Sequence, residues 1–528
     1  MRSPLLPLAG LPRPDLPPGP YFVAGVGRAG LSAAQALATR FGGDQVRAWA
    51  ESIPPASTAA VRRLREQGVH TETGDGGVEF LRRGPAPGCV VKSPGIPPDE
   101  PVLTAAAQRG AVMIDELELG WRLTSSPLIA VTGTNGKSTT AHLIAAILGA
   151  AGARVTLAGN THFGPPLSAV TDHFDAVVCE ASSFQLEACP ALVPEVAVLT
   201  NLSLDHVYRH GSLERYRTAK RRLFVRETTC TPLAVVNGDD PFGADLAGEV
   251  SDAGGRAVTF GGRVAQAGGA DFRFASTSLD FDSGVLFVET AAGETRLETS
   301  LVGAHNAANA AAAMATGFAL GIDPRVVADA IAGAVAVPGR LEPVPGLQPF
   351  DVVVDYAHNP DGIRAALRTA REIVARRGQG RVAAVLSALP FTGPAQRHAM
   401  GVAAAKLADR LILTTERWSP DAPSGPPAGL VEGAEAVPGA RFDVVPGRHR
   451  AIESALRGAA PGDAVMILGR GEQEDELFEL GRHGPFDDRA VARDTLGRIA
   501  IERGFRSRGR GPAVSRPGAR SAPPPPVP

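Results

Sequence analysis

Residues 133–140 read Gly133-Thr134-Asn135-Gly136-Lys137-Ser138-Thr139-Thr140. A β-branched apolar run, Leu128-Ile129-Ala130-Val131-Thr132, precedes them, and an alanine-rich helical stretch, His142-Leu143-Ile144-Ala145-Ala146-Ile147-Leu148, follows. Strand, glycine loop and helix in that order make an anion cradle. Glycine lets backbone N–H groups turn inward, and the helix N-terminus adds partial positive charge. Lys137 is placed to reach terminal phosphates, and the Ser138 hydroxyl to hold Mg²⁺. Only Thr134 and Asn135 separate Gly133 from Gly136, a compressed form of the usual phosphate loop.

The 528 residues have room for about three domains. A hydrophobic content of 44% with 20% charged residues reads as a soluble globular chain. The net charge of −2 supplies no bulk basic field for nucleic acid. Cys89, Cys179, Cys189 and Cys230 form no CxxC pair, so they read as reduced cytosolic thiols rather than a disulfide frame or zinc site. Apolar runs are short and broken by Gly, Pro or charge, so no transmembrane helix is expected. A cytoplasmic monomer is the expectation.

Residues 1–20 are proline-rich and read as a flexible arm. Tyr21–Ala24 is a buried-strand pattern, followed by Gly25-Val26-Gly27-Arg28-Ala29-Gly30 and a helix. That glycine spacing suits dinucleotide binding and equally suits tight βα packing. A second strand ends at Ala50, with Glu51 one step beyond as the candidate ribose or base acid. Val90-Val91-Lys92-Ser93-Pro94-Gly95-Ile96-Pro97 is a strand entering a rigid turn. These features define a Rossmann-like unit over 21–124. The second domain, 125–338, carries the phosphate loop. Its buried strands end at Glu180, with Ser182-Ser183 following, and before Asn201, Asp205 and His206, at the sheet edge where open α/β sheets bind ligands. An amphipathic helix carries Lys220, residues 257–302 alternate as a small antiparallel sheet, and a long helix opens with Asn306 and Asn309 on one face. The third domain, 339–505, alternates strands and helices as a second Rossmann-like unit, and 506–528 read as a disordered basic tail. The fold class is α/β in three domains.

Several motifs together resemble the Mur ligase family. They are the compressed loop, the run from Asn201-Leu202-Ser203-Leu204-Asp205-His206 to Lys220, and the turn Lys92–Pro97. Asp115-Glu116-Leu117-Glu118-Leu119 and Glu180-Ala181-Ser182-Ser183-Phe184-Gln185-Leu186-Glu187 add to them. The resemblance implies an ATP- and Mg²⁺-dependent amide ligase of peptidoglycan precursor synthesis. Gly133, Thr134, Asn135, Gly136, Lys137, Ser138, Thr139, Asn306, Asn309, Arg340 and Asp355 would face ATP. Arg28, Ala29, Glu51, Gly95 and Asn160 would face a UDP-muramoyl substrate. Lys137, Glu180, His206 and Lys220 would be catalytic, and Ser138, Glu180, His206 and Lys220 would face Mg²⁺.

On the residues alone, Lys220 is a solvated charge on a basic helix face or, if it reacts with CO₂, an anionic metal ligand. The resemblance implies the carbamate.

The first two domains most resemble the member adding D-glutamate to UDP-N-acetylmuramoyl-L-alanine. The third offers His358, Arg417 and Arg470 for the amino acid. Val354-Asp355-Tyr356-Ala357-His358-Asn359-Pro360 and Gly484–Arg493 resemble instead the member adding a diamino acid. The Asp-Asn-Pro-Arg motif of that member is absent, and Thr415-Glu416-Arg417-Trp418-Ser419-Pro420 stands there. D-glutamate addition is the leading expectation, with a diamino acid or another glutamate as the alternative. A nucleotide-binding scaffold without ligase activity is a reading of another class. Retention of Lys137, Glu180, His206 and Lys220 together argues against it.

Overall fold

The computed structural model describes residues 8, 10–54, 57–161, 163–262, 270–290, 293–389, 392–415, 426–474, 476–479 and 482–503. Three sheets stand in chain order. The first has five parallel strands, β1 (Tyr21–Ala24), β2 (Val46–Ala50), β3 (His70–Thr73), β4 (Cys89–Lys92) and β5 (Val112–Asp115), in the order β3-β2-β1-β4-β5. Both faces are covered, which is why β1 and β4 are apolar almost throughout and buried at every position. Gly30 lies in the first turn of the helix Arg28–Phe41 that leaves β1, and a Cβ there would collide with the Gly25 carbonyl. Close helix–strand packing therefore accounts for this glycine.

The second sheet holds nine strands. Its parallel part is β6 (Leu128–Thr132), β7 (Val155–Gly159), β8 (Ala176–Glu180), β9 (Val196–Leu199), β10 (Leu233–Asn237) and β11 (Arg256–Gly262). The antiparallel strands expected beside the parallel sheet are present, as a continuation of it. β12 (Phe272–Asp280) pairs in parallel with β11, and β13 (Ser283–Thr290) and β14 (Gly293–Thr299) extend the same sheet antiparallel, giving β14-β13-β12-β11-β10-β9-β6-β8-β7. Alternation in the sequence exposes the half-solvated strands but cannot tell a free sheet from an extension of a buried one.

The third sheet runs β15-β16-β20-β17-β18-β19. It comprises β15 (Glu342–Pro343), β16 (Asp351–Asp355), β17 (Val382–Leu386), β18 (Arg410–Leu413), β19 (Phe442–Val444) and β20 (Ala464–Leu468). A hairpin, β21 (Glu476–Glu479) and β22 (Arg482–Pro485), precedes the last helix, Asp488–Arg503.

The N-terminal arm differs from a loose segment over its described residues. Leu11 N–H donates to Glu195 Oε1, and the Arg13 guanidinium donates to the carbonyls of Trp121, Thr124 and Ser126, so it braces the link between the first two domains. The tail 506–528 lies outside the described residues.

Asp115-Glu116-Leu117-Glu118-Leu119 is a docking strip. Glu116 Oε1 accepts the Ser168 N–H at 2.7 Å, Glu118 Oε2 accepts the N–H groups of Ala191 and Leu192 at 3.0 and 3.2 Å, and the Asp115 N–H reaches the Ala188 carbonyl at 2.7 Å. Backbone donors of the second domain satisfy both oxygens of Glu118 and one of Glu116, which offsets the cost of burying these charges.

Candidate active site

β6 delivers Thr132 into the phosphate loop, and the helix Lys137–Ala150 leaves it. Gly133 has φ 147° and Gly136 φ 87°, both in the region that favours glycine. A Cβ on Gly133 would strike Thr200 Oγ1, and one on Gly136 would strike Asn309 Oδ1. The loop is clamped from β9: Asn135 N–H donates to Asn201 Oδ1 at 2.9 Å, and its carbonyl accepts from Thr200 Oγ1 at 2.6 Å and Asn201 Nδ2 at 3.0 Å. Thr134 Oγ1 lies 3.0 Å from the Tyr216 hydroxyl and accepts the Ser203 N–H at 2.9 Å.

Lys137 Nζ donates to the carbonyls of Gly133 and Thr134 at 3.2 and 2.9 Å. Burial lowers its pKa, against the pull of Glu180 and Asp205. Ser138 Oγ donates to Glu180 Oε2 at 2.7 Å. Lys220 is fully buried, with Nζ 2.7 Å from the Gly133 carbonyl. Burial first, then repulsion from Lys137, depresses it well below an ordinary lysine. The solvated-charge reading of Lys220 is thereby corrected, because its helix turns that face onto the loop.

His206 adopts φ 53°, and its ring stands 3.7 Å from Asp205 Oδ2. Burial lowers its pKa to about 4, so the imidazole is neutral at pH 7. Burial opposes the charge of Asp205, but His206, His358 and the Gln396 amide hold its carboxyl below the usual range.

Among the described residues no three His, Cys, Asp or Glu side chains converge to cage a metal. The adjoining Ser138 hydroxyl and Glu180 carboxylate fit Mg²⁺, which takes one or two protein oxygens and fills its remaining positions with water and phosphate. The structure brings these two together, and sets His206 against Asp205 and Lys220 against the loop carbonyl.

The other expected residues make the following contacts. Asn306 and Asn309 are buried, with Asn309 Nδ2 donating to Asn306 Oδ1 at 3.2 Å and Thr140 Oγ1 donating to Asn309 at 3.4 Å, so they brace the loop from behind. Arg28 turns to the second domain and donates to the carbonyls of Thr161, at 2.7 Å, and Gly164. Ala29 follows Arg28 in the first turn of its helix. Glu51 and Gly95 are exposed, and Asn160 donates its N–H to the Glu180 carbonyl at 2.8 Å. Arg340 pairs with Glu472 at 3.1 Å and lies 4.0 Å from the Tyr356 ring centre, while Asp355 accepts the N–H groups of Leu341 and Ala357. His358 faces the second domain, 3.9 Å from Asp205. Arg470 is fully buried, and Nη2 lies 3.4 Å from the Phe486 carbonyl. Arg417 lies outside the described residues.

Sequence reasoning passed over Lys92 and Arg209. Lys92 Nζ gathers the carbonyls of Ser93, Pro94, Ile96 and Phe184, with Asp115 at 3.6 Å, and Arg209 joins the Ile96 carbonyl to Glu187. The 92–97 turn and the segment 184–187 are thus one hydrogen-bonded unit. The signal was a lysine placed before Ser-Pro-Gly, a turn whose carbonyls cannot all be satisfied locally.

The Mur ligase middle domain matches residues 131–317, and the Mur ligase glutamate ligase domain matches residues 339–471. The UDP-N-acetylmuramoyl-L-alanyl-D-glutamate–2,6-diaminopimelate ligase of Syntrophomonas wolfei is 31% identical over 393 residues, 70% of this chain and 78% of that one. The chain belongs to the Mur ligase family. The ligase of the same name from Synechococcus elongatus is 34% identical over 399 residues, covering 70% of this Mur ligase and 76% of its own chain. A solved structure of a diaminopimelate ligase aligns at TM-score 0.50 and 25% identity, over 79% of this chain and 93% of that one. The UDP-N-acetylmuramate–alanine ligase of Thermotoga maritima, at TM-score 0.58 and 21% identity over 91% of this chain and 99% of its own, shares the fold. These relatives carry the name of the diamino-acid member, not that of the D-glutamate member expected from the first two domains. No described helix is long and apolar enough to cross a membrane.

Proposed function

We propose that this Mur ligase is a cytoplasmic, ATP-dependent enzyme that extends a UDP-N-acetylmuramoyl peptide by one amino acid. The leading reading joins 2,6-diaminopimelate to UDP-N-acetylmuramoyl-L-alanyl-D-glutamate. The observation that carries the ligase chemistry is the phosphate loop with the Ser138–Glu180 pair beside it and the buried Lys220 beneath it. The substrate carboxylate attacks the γ-phosphorus and ADP leaves, giving an acyl phosphate. The acceptor amine then attacks the acyl carbon, loses a proton and expels phosphate. Lys137 neutralises phosphoryl oxygens as charge moves in a water-poor site. Ser138 and Glu180 would hold Mg²⁺, which when bound would supply further charge neutralisation there. Burial holds the Lys220 amine well below the usual lysine pKa, which favours the unprotonated form that adds to CO₂. Lys220 as a carbamate would offer oxygens toward that ion and keep Lys137 in place.

Two features favour the diamino acid. The relatives at 31% and 34% identity carry that name. Glu472 Oε2 and Gln473 Oε1 are buried acceptors without a hydrogen-bond partner, beside Arg340 and Tyr356. Two orphaned acceptors suit a donor-rich ammonium.

A second reading, D-glutamate joined to UDP-N-acetylmuramoyl-L-alanine, has its own support. The two segments resembling that member, Lys92–Pro97 and Glu180–Glu187, meet physically through Lys92 and the Phe184 carbonyl. Asp487, a candidate acid for a distal ammonium, is already paired with Arg489 at 2.8 Å. Glu416, another, lies outside the described residues. Product analysis with each UDP-peptide and amino-acid pair separates the readings. Diaminopimelate incorporation supports the first, and exclusive D-glutamate incorporation replaces it with the second.

A further inference from the structure

The third domain meets the phosphate loop through one fully satisfied side chain, Asn359. It is 1% exposed and caps the helix Pro360–Arg377, its Oδ1 accepting the Gly362 N–H at 2.9 Å. The same oxygen accepts from Asn135 Nδ2 at 3.3 Å, while Asn359 Nδ2 donates to Asn135 Oδ1 at 2.9 Å. The two amides face each other reciprocally across the domain boundary. The second Nδ2 proton goes to Asp205 Oδ2 at 3.1 Å. Gln396 Nε2, also from the third domain, donates to Asp205 Oδ1 at 2.8 Å. All four hydrogen-bonding positions of the Asn359 amide are thus filled. Asp205 is 3% exposed and receives its side-chain amide donors from the third domain.

We infer that Asn359 and Gln396 are positioning residues that register the third domain on the phosphate loop, with Asn135 and Asp205 as their anchors. This rests on the ligase reading for its kinetic consequence only. The acceptor amine arrives with the third domain, and the acyl phosphate forms on the second. Sliding one domain over the other changes the distance between the reacting atoms, and the amide pair fixes that distance. Asn135 suits the task because its backbone is clamped on both sides by Thr200 and Asn201. A shift of the third domain would therefore be felt at the loop itself.

Asn359→Asp is the discriminating variant. Aspartate caps a helix as well as asparagine, so the third domain keeps its fold. It loses both amide protons and sets a carboxylate against Asp205 and the Asn135 carbonyl oxygen. The full-length variant should melt within the error of the wild type. It should scatter X-rays with a larger radius of gyration, and lose kcat by roughly 10²-fold, the cost of a small misplacement of reacting groups. The double variant Asp205→Asn, Asn359→Asp restores one donor and one acceptor across the boundary, and should recover the wild-type radius. Activity is not its readout, because Asp205 adjoins His206. An Asn359→Asp protein as compact as the wild type, or an expansion that the double variant fails to reverse, would overturn the assignment. Scattering needs no substrate, so neither result depends on which amino acid is joined.

Discussion

Lys137, half-buried in the loop, and Lys220, buried beneath it on the helix Leu213–Arg221, are neighbouring lysines with different tasks. Lys137 contacts the loop carbonyls that a phosphate would face, so Lys137→Ala should abolish phosphate release while circular dichroism and melting stay near wild type. A folded Lys137→Ala protein with near-wild-type turnover would contradict the loop's role. Lys220 is depressed well below an ordinary lysine, as a carbamate-forming amine must be. Lys220→Ala should lose roughly 10²-fold or more in kcat, as loss of a preorganised charge does. Added acetate should restore part of the rate by standing in for the carbamate. Lys220→Arg should stay inactive, since guanidinium remains cationic. An active arginine variant would make Lys220 a plain positive charge. At this scale the motif residues were legible because spacing alone identifies a phosphate loop. Burial was not: Lys220 sits on a helix that reads as basic and solvated, and only its packing under Gly133 shows otherwise. Asn359 was hidden for a related reason. An Asn before Pro signals a helix cap, and nothing local says that the cap also bonds to a residue 224 positions away.

Between elements, the short helices Ser183–Leu186 and Val207–His210 are tied through Glu187. Its carboxylate accepts from Arg209 at 3.0 Å and meets His210 at 3.0 Å. Burial pushes the Glu187 carboxyl up, but the His210 and Arg209 hydrogen bonds outweigh it and hold the group below its ordinary 4.5. A carboxyl depressed in the folded state contributes stability that is present above the unfolded value and lost as pH falls through the folded one. Glu187→Gln should therefore cost about 2 kcal/mol at pH 7, below the ~3–5 kcal/mol of a fully buried pair because the Glu187 side chain is 17% exposed. It should also flatten part of the acid limb below pH 4.5, read from urea midpoints across pH. Identical acid limbs would contradict the linkage. Strand and helix positions were readable from period and caps: β6, β8, β9 and β16 follow uninterrupted apolar runs, and Pro or Asx residues open the helices Pro241–Asp252, Pro324–Ala332 and Pro360–Arg377. The continuity of β11 through β14 with the parallel sheet was not, since strand alternation reports exposure and not partner.

Across the whole molecule, the second α/β unit stands between the other two and carries the loop at 133–140. The first is joined to the second by the Glu116 and Glu118 carboxylates and by Arg13, while the third meets the second through Asn359, Gln396 and His358. On the proposed reading the UDP substrate waits on the first two domains and the third brings the amine to it. Motif order made the three-domain plan legible. The acceptor was not, because the residues that would select it come from separate turns and partly lie outside the described chain. The most direct measurement is phosphate release from ATP and Mg²⁺ with UDP-N-acetylmuramoyl-L-alanyl-D-glutamate, with and without diaminopimelate, and with UDP-N-acetylmuramoyl-L-alanine, with and without D-glutamate. The expected result is release that requires both a UDP-peptide and its amino acid, strongest for the diaminopimelate pair. Phosphate release indifferent to every amino acid, or none with any pair, would contradict amide ligation by this chain.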